Sequence, residues 1–167
     1  MAIGDPNFAR GTGALAVGAD NTATKDGTQT GTAASNGAPG LVAAGNGNTA
    51  SGAGGAVAVG NTNRATGKGA VALGNQSNAL ADGAIALGDG ANGQVANAIA
   101  IGTGAISNVA NSVAFGSGST TSAAVGVSNA TIGSITFGPF QGTAPIGVFS
   151  VGAPGLERQI QNVAAGR

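Results

Sequence analysis

The chain has 167 residues, with six basic and six acidic side chains, a formal net charge of zero, and neither histidine nor cysteine. Its length holds one domain, or one domain and a short appendage, and its charge balance leaves no electrostatic case for nucleic acid or an anionic membrane as partner. Without imidazole or thiol it lacks the usual acid–base and thiolate chemistry, disulfides and most transition-metal sites, so no cofactor is expected.

Thirty-three glycines would fit a disordered chain, but 42% of the residues are apolar and stand in register rather than scattered. The five Phe, with no Trp or Tyr, are too few to fill an ordinary core. The interior must therefore be very thin, or shared with a partner. No stretch approaches the roughly 20 apolar residues of a membrane-spanning helix. No secretory leader opens the chain, and Met1 reads as an added start.

In chain order, Ala2-Ile3-Gly4 reads as the end of a repeat already under way, fourteen residues before Gly18. A five-residue phrase, small–aliphatic–Ala–aliphatic–Gly, then recurs. It reads Ala56-Val57-Ala58-Val59-Gly60, Ala70-Val71-Ala72-Leu73-Gly74, Ala84-Ile85-Ala86-Leu87-Gly88, Ala98-Ile99-Ala100-Ile101-Gly102 and Ser112-Val113-Ala114-Phe115-Gly116. Its closing glycines fall at Gly18, Gly45, Gly60, Gly74, Gly88, Gly102, Gly116, Gly138 and Gly152. The long interval before Gly45 holds a degraded copy at Thr28-Gln29-Thr30-Gly31, and the one before Gly138 an imperfect copy at Ala123-Ala124-Val125-Gly126.

Self-similarity at a fixed period marks a repeat architecture. Within the phrase the alternation has period two, a strand signal, and Val and Ile favour strands. The residues between phrases are Asn, Gly, Ser, Thr and Asp, which make turns, with a weaker alternation such as Ser77-x-Ala79-x-Ala81. One period is thus two short strands and two tight corners. Coils stacked about 4.8 Å apart build a parallel β-solenoid, here of ten or eleven coils. Physics alone leaves its handedness open.

The two faces of the phrase differ. Positions one and three are Ala or Ser and suit a thin interior. Positions two and four are Val, Ile, Leu or Phe, seventeen large side chains in nine copies with Ala44 the exception. Pointing outward, they would expose on the order of 1,000 Å², where soluble monomers rarely carry more than a few hundred in one patch. An obligate homo-oligomer packed through Val57, Val59, Val71, Leu73, Ile85, Leu87, Ile99, Ile101, Val113 and Phe115 is the expectation. The opposite orientation, large residues inside, would give a monomeric solenoid.

After Gly138 the pattern breaks. Pro139-Phe140-Gln141-Gly142-Thr143-Ala144-Pro145 reads as a loop, and the segment from Phe149 to Arg167 differs from the coils. The chain divides into a roll over 1–138, a connecting loop over 139–149 and a terminal segment over 150–167.

Little here carries chemistry. Asp82 and Asp89 are half a coil apart and fall on different sides, and Asp20 and Asp26 flank a turn, so paired-carboxylate catalysis is not supported. Gly88-Asp89-Gly90 echoes calcium-binding repeats but occurs once, and reads as a corner. Gly52-Ala53-Gly54-Gly55 has no Lys-Ser/Thr after it to make a phosphate loop. Arg10, Lys25, Arg64 and Lys68 are placed in corner segments, as solvated charges or ligand contacts. No enzyme is expected.

Asn97-Ala98-Ile99-Ala100-Ile101-Gly102 and Asn111-Ser112-Val113-Ala114-Phe115-Gly116 resemble the head repeat of YadA-like trimeric autotransporter adhesins. Ser150-Val151-Gly152, Glu157-Arg158-Gln159-Ile160 and Asn162-Val163-Ala164-Ala165-Gly166 resemble the neck of the same family. The resemblance implies an all-β fold, a left-handed parallel β-roll of about fourteen-residue coils, homotrimeric, with a neck leading to a coiled-coil stalk. It also implies a C-terminal β-barrel in a Gram-negative outer membrane, with stalk and anchor beyond Arg167. Between Gly116 and Val148 the chain departs from the plain repeat, and a protruding loop is expected there. Glu157 and Arg158 are expected to pair between chains or to cap the transition to the stalk. Two solvated charges are the alternative.

By the same resemblance the head attaches the bacterium to extracellular-matrix proteins such as collagen, fibronectin or laminin, or to host cells, through many weak equivalent sites. Asn97, Ile99, Ile101, Asn111, Val113 and Phe115 are the candidate ligand contacts. The competing reading is a structural spacer or self-association module. Ice binding would need Thr ladders at the period, and the Thr residues do not recur so.

Overall fold

The computed structural model describes residues 1–24 and 39–164. Its main body is two parallel sheets that enclose a thin interior. The front sheet has nine strands: Ala2–Ile3, Leu15–Ala19, Val42–Asn46, Val57–Asn61, Val71–Asn75, Ile85–Leu87, Ile99–Ile101, Val113–Phe115 and Phe149–Ser150. The back sheet has seven shorter strands: Asn7–Ala9, Asn21–Ala23, Thr49–Ala50, Arg64–Ala65, Asn78–Ala79, Asn92–Gly93 and Ile106–Ser107. Front and back strands alternate along the chain, so seven coils carry a strand in both sheets. This is an all-β parallel solenoid, with no helix among the described residues.

Register follows the repeat. Val57 pairs with Val71, Val71 with Ile85, Ile85 with Ile99 and Ile99 with Val113. The small phrase positions face inward: the buried apolar core is alanine throughout, from Ala14 to Ala114, with Leu41 the single larger member among the described residues. Opposing strands this close leave room for a methyl group and little more, which is why the large residues of each phrase point out.

Two corner positions account for much of the glycine. The closing glycines from Gly18 to Gly138 have positive φ, and a Cβ on Gly60 would lie 2.0 Å from the carbonyl oxygen of Gly74 in the next coil. Only a hydrogen fits between stacked backbones there. The residue before each of the five phrases from Ala56 to Gly116 also has positive φ. It is Gly at 55, 69 and 83, and Asn at 97 and 111, Asn being a residue that tolerates the left-handed region.

Part of the interior is polar. Asn21, Asn48 and Asn63 are fully buried three residues after a closing glycine. The Asn48 Nδ2 donates to Asn21 Oδ1 (3.0 Å), to the Ala44 carbonyl (2.9 Å) and to the Gly60 carbonyl (2.7 Å). Its Oδ1 accepts from the backbone and side-chain nitrogens of Asn63 (3.0 and 2.9 Å). Each amide thus satisfies backbone carbonyls as well as its neighbours in the ladder, as a buried polar group must. The ladder ends where the Ser77 N–H donates to Asn63 Oδ1 (2.8 Å). Ala91 and Ala105 hold the same position in later coils.

The roll has fewer coils than the ten or eleven counted from the glycines. Leu15–Ala19 stacks directly on Val42–Asn46, with Gly18 opposite Gly45. The degraded copy at 28–31 lies outside the described residues. The copy at Ala123–Gly126 forms no strand. The one closing at Gly138 leaves the stack: Ile135–Phe137 pairs antiparallel with Ala130–Ile132, while Val113–Phe115 pairs directly with Phe149–Ser150. Residues 122–146 are therefore an insertion outside both parallel sheets, between the strand at Val113 and the one at Phe149. Arg64 lies in a back-sheet strand rather than a corner.

Candidate functional site

The front face is the largest coherent surface feature. Its outward positions form two ladders, Val57-Val71-Ile85-Ile99-Val113-Phe149 and Val59-Leu73-Leu87-Ile101-Phe115. Neighbouring coils shield each rung in part, so most side chains are half-buried, while Leu87, Phe115 and Phe149 remain 43%, 50% and 63% exposed. The rings of Phe115 and Phe149 stack with centroids 6.1 Å apart. No rung carries a charge. All ten aliphatic and aromatic residues expected at a subunit contact stand on this one face. Ile135 and Phe137, counted among the seventeen, do not, because the hairpin removes them.

The candidate ligand contacts separate into two groups. Ile99, Ile101, Val113 and Phe115 are rungs of the front face. Asn97 and Asn111 occupy the left-handed corner beside it, and the Asn97 Nδ2 donates to Asn111 Oδ1 at 3.0 Å on the exposed surface. At the opposite end of the front strands a second exposed ladder runs from Asn61 to Asn75 to Asp89, each contact 2.7 Å. Asp89 accepts the last bond, between positive-φ Gly88 and Gly90, and so serves a corner. Asp82 accepts from the Lys68 backbone N–H (2.7 Å) at the other end of its strand.

Glu157 and Arg158 both turn to backbone within one chain. Arg158 donates to the Val151 carbonyl (2.7 Å), the Ser119 hydroxyl (3.1 Å) and the Ser117 carbonyl, so it ties the terminal segment to the last coils. Glu157 Oε1 accepts from the Gly155 N–H at 2.9 Å. That bond, with one from its own backbone, holds its carboxyl below the ordinary glutamate range. An apolar cleft lined by Phe115, Phe149, Val151 and Ile160 opens beside Arg158. Among the described residues no three acidic side chains converge on a metal-sized space.

The interior Asn ladder and the Asn61–Asn75–Asp89 surface ladder escape a reading based on turn composition. Their signal was present as spacing: Asn three residues after Gly18, Gly45 and Gly60, and Asn or Asp one residue after Gly60, Gly74 and Gly88.

Fold and surface together define a repeat solenoid built to present a long flat face. Over part of the chain the repeats are similar to those of the YadA head domain. The family model of the YadA head domain repeat (2 copies) matches residues 9–28, 65–91 and 96–119. A solved C-terminal YadA-like domain of a Burkholderia pseudomallei protein is similar at 56% identity, with a TM-score of 0.40, over 43% of this chain and 34% of that one. The chain thus spans about a third of that domain's length. No curated protein matches the chain.

Proposed function

We propose that the chain is the head of a homotrimeric adhesin on the surface of a Gram-negative bacterium. The roll is left-handed, three copies pack front face to front face, and residues 150–167 form a neck leading to a coiled-coil stalk. The observation that carries this reading is the uncharged ladder from Val57 to Phe115. Completing the burial of its ten large side chains would contribute about 10 kcal/mol per chain, enough to offset the entropy lost on association. Arg158 serves the neck by capping its junction with the roll, and Glu157 shapes the turn before it.

Attachment to collagen, fibronectin, laminin or a host cell surface is multivalent in this reading, since three equivalent rolls raise avidity without a deep pocket. Front-face packing buries Ile99, Ile101, Val113 and Phe115 between subunits, leaving Asn97 and Asn111 on the rim as candidates for ligand contact. Solid-phase binding of the 167-residue chain to the three matrix proteins tests the function. Saturable binding to at least one, reduced by Asn97→Ala with Asn111→Ala, is expected. The reading fails if none binds.

A second reading, a spacer or self-association module, draws on the hydrogen bond by which Asn97 Nδ2 already donates to Asn111 Oδ1. It expects no matrix binding, with clumping of particles coated with the chain.

A further inference from the structure

The two ends of the roll are finished differently. At the corner after a closing glycine, each coil donates a backbone N–H to the coil before it: Gly90 to the Asn75 carbonyl, Gly104 to the Asp89 carbonyl and Gly118 to the Thr103 carbonyl, all at 2.8 Å. The next acceptor in this series is the Ser117 carbonyl. Phe149 stands opposite Val113 and Ser150 opposite Ala114, and the same register carried onward sets Pro154 at the donor position. Proline has no N–H to give. The Arg158 guanidinium stands in for it. Its Nη2 donates to the Ser117 carbonyl, and its Nη1 to Ser119 Oγ (3.1 Å) and the Val151 carbonyl (2.7 Å). A Cβ on Gly60 or Gly74 would strike the carbonyl oxygen of the next closing glycine, whereas one on Gly116 would meet the Arg158 guanidinium at 3.3 Å. Thr120, bridged to the last back strand at Ile106, gives its N–H to the Gly152 carbonyl (2.9 Å). The chain from Gly152 to Arg158 thus takes up backbone groups that a further coil would use.

The other end has no such cover among the described residues. Ala2–Ile3 and Asn7–Ala9 are the outermost strands of the two sheets, and Met1 and Ile3 are 71% and 46% exposed. An open edge is a template for another strand. This one keeps the spacing of the roll: a Cβ on Gly4 would strike the Gly18 carbonyl oxygen, as one on Gly60 strikes that of Gly74. It therefore matches whatever end a coil can stack on, including the far end of a second copy. We infer that Arg158 is an edge guard: by occupying the acceptors of the last coil it ends the solenoid and keeps a second copy from stacking its open end there. Such a head-to-tail contact is heterologous and does not close, so unguarded rolls would grow into strings. The inference rests on the capping role proposed above for Arg158 and does not need the front faces to pair.

The test is photocrosslinking of the 167-residue chain carrying p-benzoylphenylalanine in place of Ile3, with Arg158 kept, changed by Arg158→Ala, or changed by Arg158→Gln as a milder second variant. Mass spectrometry locates the crosslinked residues. Copies packed side by side at equal height bring position 3 to a neighbour's first coils, while the last front strand lies eight strand spacings away, about 38 Å. Crosslinks from position 3 to residues 113–121 or 149–158 are expected in the variants and absent with Arg158 in place, together with species that lengthen as concentration rises. Variant crosslinks confined to the first coils, or none at all, overturn the guard and leave front-face packing standing. End-to-end crosslinks already present with Arg158 overturn it too. Loss of the β signal in both variants makes Arg158 a folding residue and overturns it as a guard.

Discussion

Ala98-Ile99-Ala100-Ile101-Gly102 and Ser134-Ile135-Thr136-Phe137-Gly138 read almost alike, yet the first is a rung of the roll and the second half of a free hairpin. The difference lies in the inward positions. At the third position of the phrase the roll carries alanine or, at Ser150, serine, and Thr136 brings a larger, branched side chain to that position. Three residues past the closing glycine the roll places Asn, Ser or Ala, and after Gly138 the corresponding residue is Gln141. The turn also differs: Gly133, at φ +62, closes a two-residue connection between Ile132 and Ile135, which favours a hairpin over a return to the stack. Membership of the solenoid is decided by what fits inside, not by the greasy outer pattern.

Four changes, two of them paired with a control in the hairpin, break or sharpen this contrast. Gly60→Ala should have the largest effect, because its Cβ would meet the Gly74 carbonyl at 2.0 Å. A loss of about 4 kcal/mol in chemical unfolding is expected. Gly133→Ala, in the hairpin with open space around it, should cost about 1 kcal/mol through backbone strain alone.

Next comes the interior amide ladder. Asn48→Leu removes the side-chain donor to the Ala44 and Gly60 carbonyls and strands the Asn63 backbone N–H, and should cost about 3 kcal/mol. The hairpin's polar pair, Thr131 and Thr136, is exposed, and Thr136→Ala should cost well under 1 kcal/mol.

Interior overpacking by Ala86→Val should cost about 2 kcal/mol in the melting of the roll. A smaller effect concerns the terminal segment. The Glu157 carboxyl titrates below its ordinary range in the folded chain, so its Gly155 bond stabilises the turn above the unfolded pKa. That support is lost as pH falls through the folded value. Glu157→Gln should flatten this acid dependence, read from hydrogen exchange of the Gly155 amide.

Much of the roll was legible because a fourteen-residue period imposes one register on every coil, and a two-faced phrase leaves only the small side inward. The orientation of Val57 and Ala58 follows from size alone. What escaped were insertions and interior polarity. A gap of two periods before Gly45 looks like a coil, but the glycines cannot say whether the intervening chain stacks, and Gly18 and Gly45 turned out to be adjacent. Asn48 and Asn63 were read as turn residues because asparagine serves both at corners and inside. Only the hydrogen bonds between coils separate the two uses.

The account depends most on the front face being covered by other copies of the same chain. Light scattering on the purified 167-residue chain measures this directly. A folded species of three times 15.3 kDa is the expected result, with Leu87→Lys reducing it toward single chains that keep their β signal. A folded wild-type particle of 15.3 kDa at all concentrations would contradict the account.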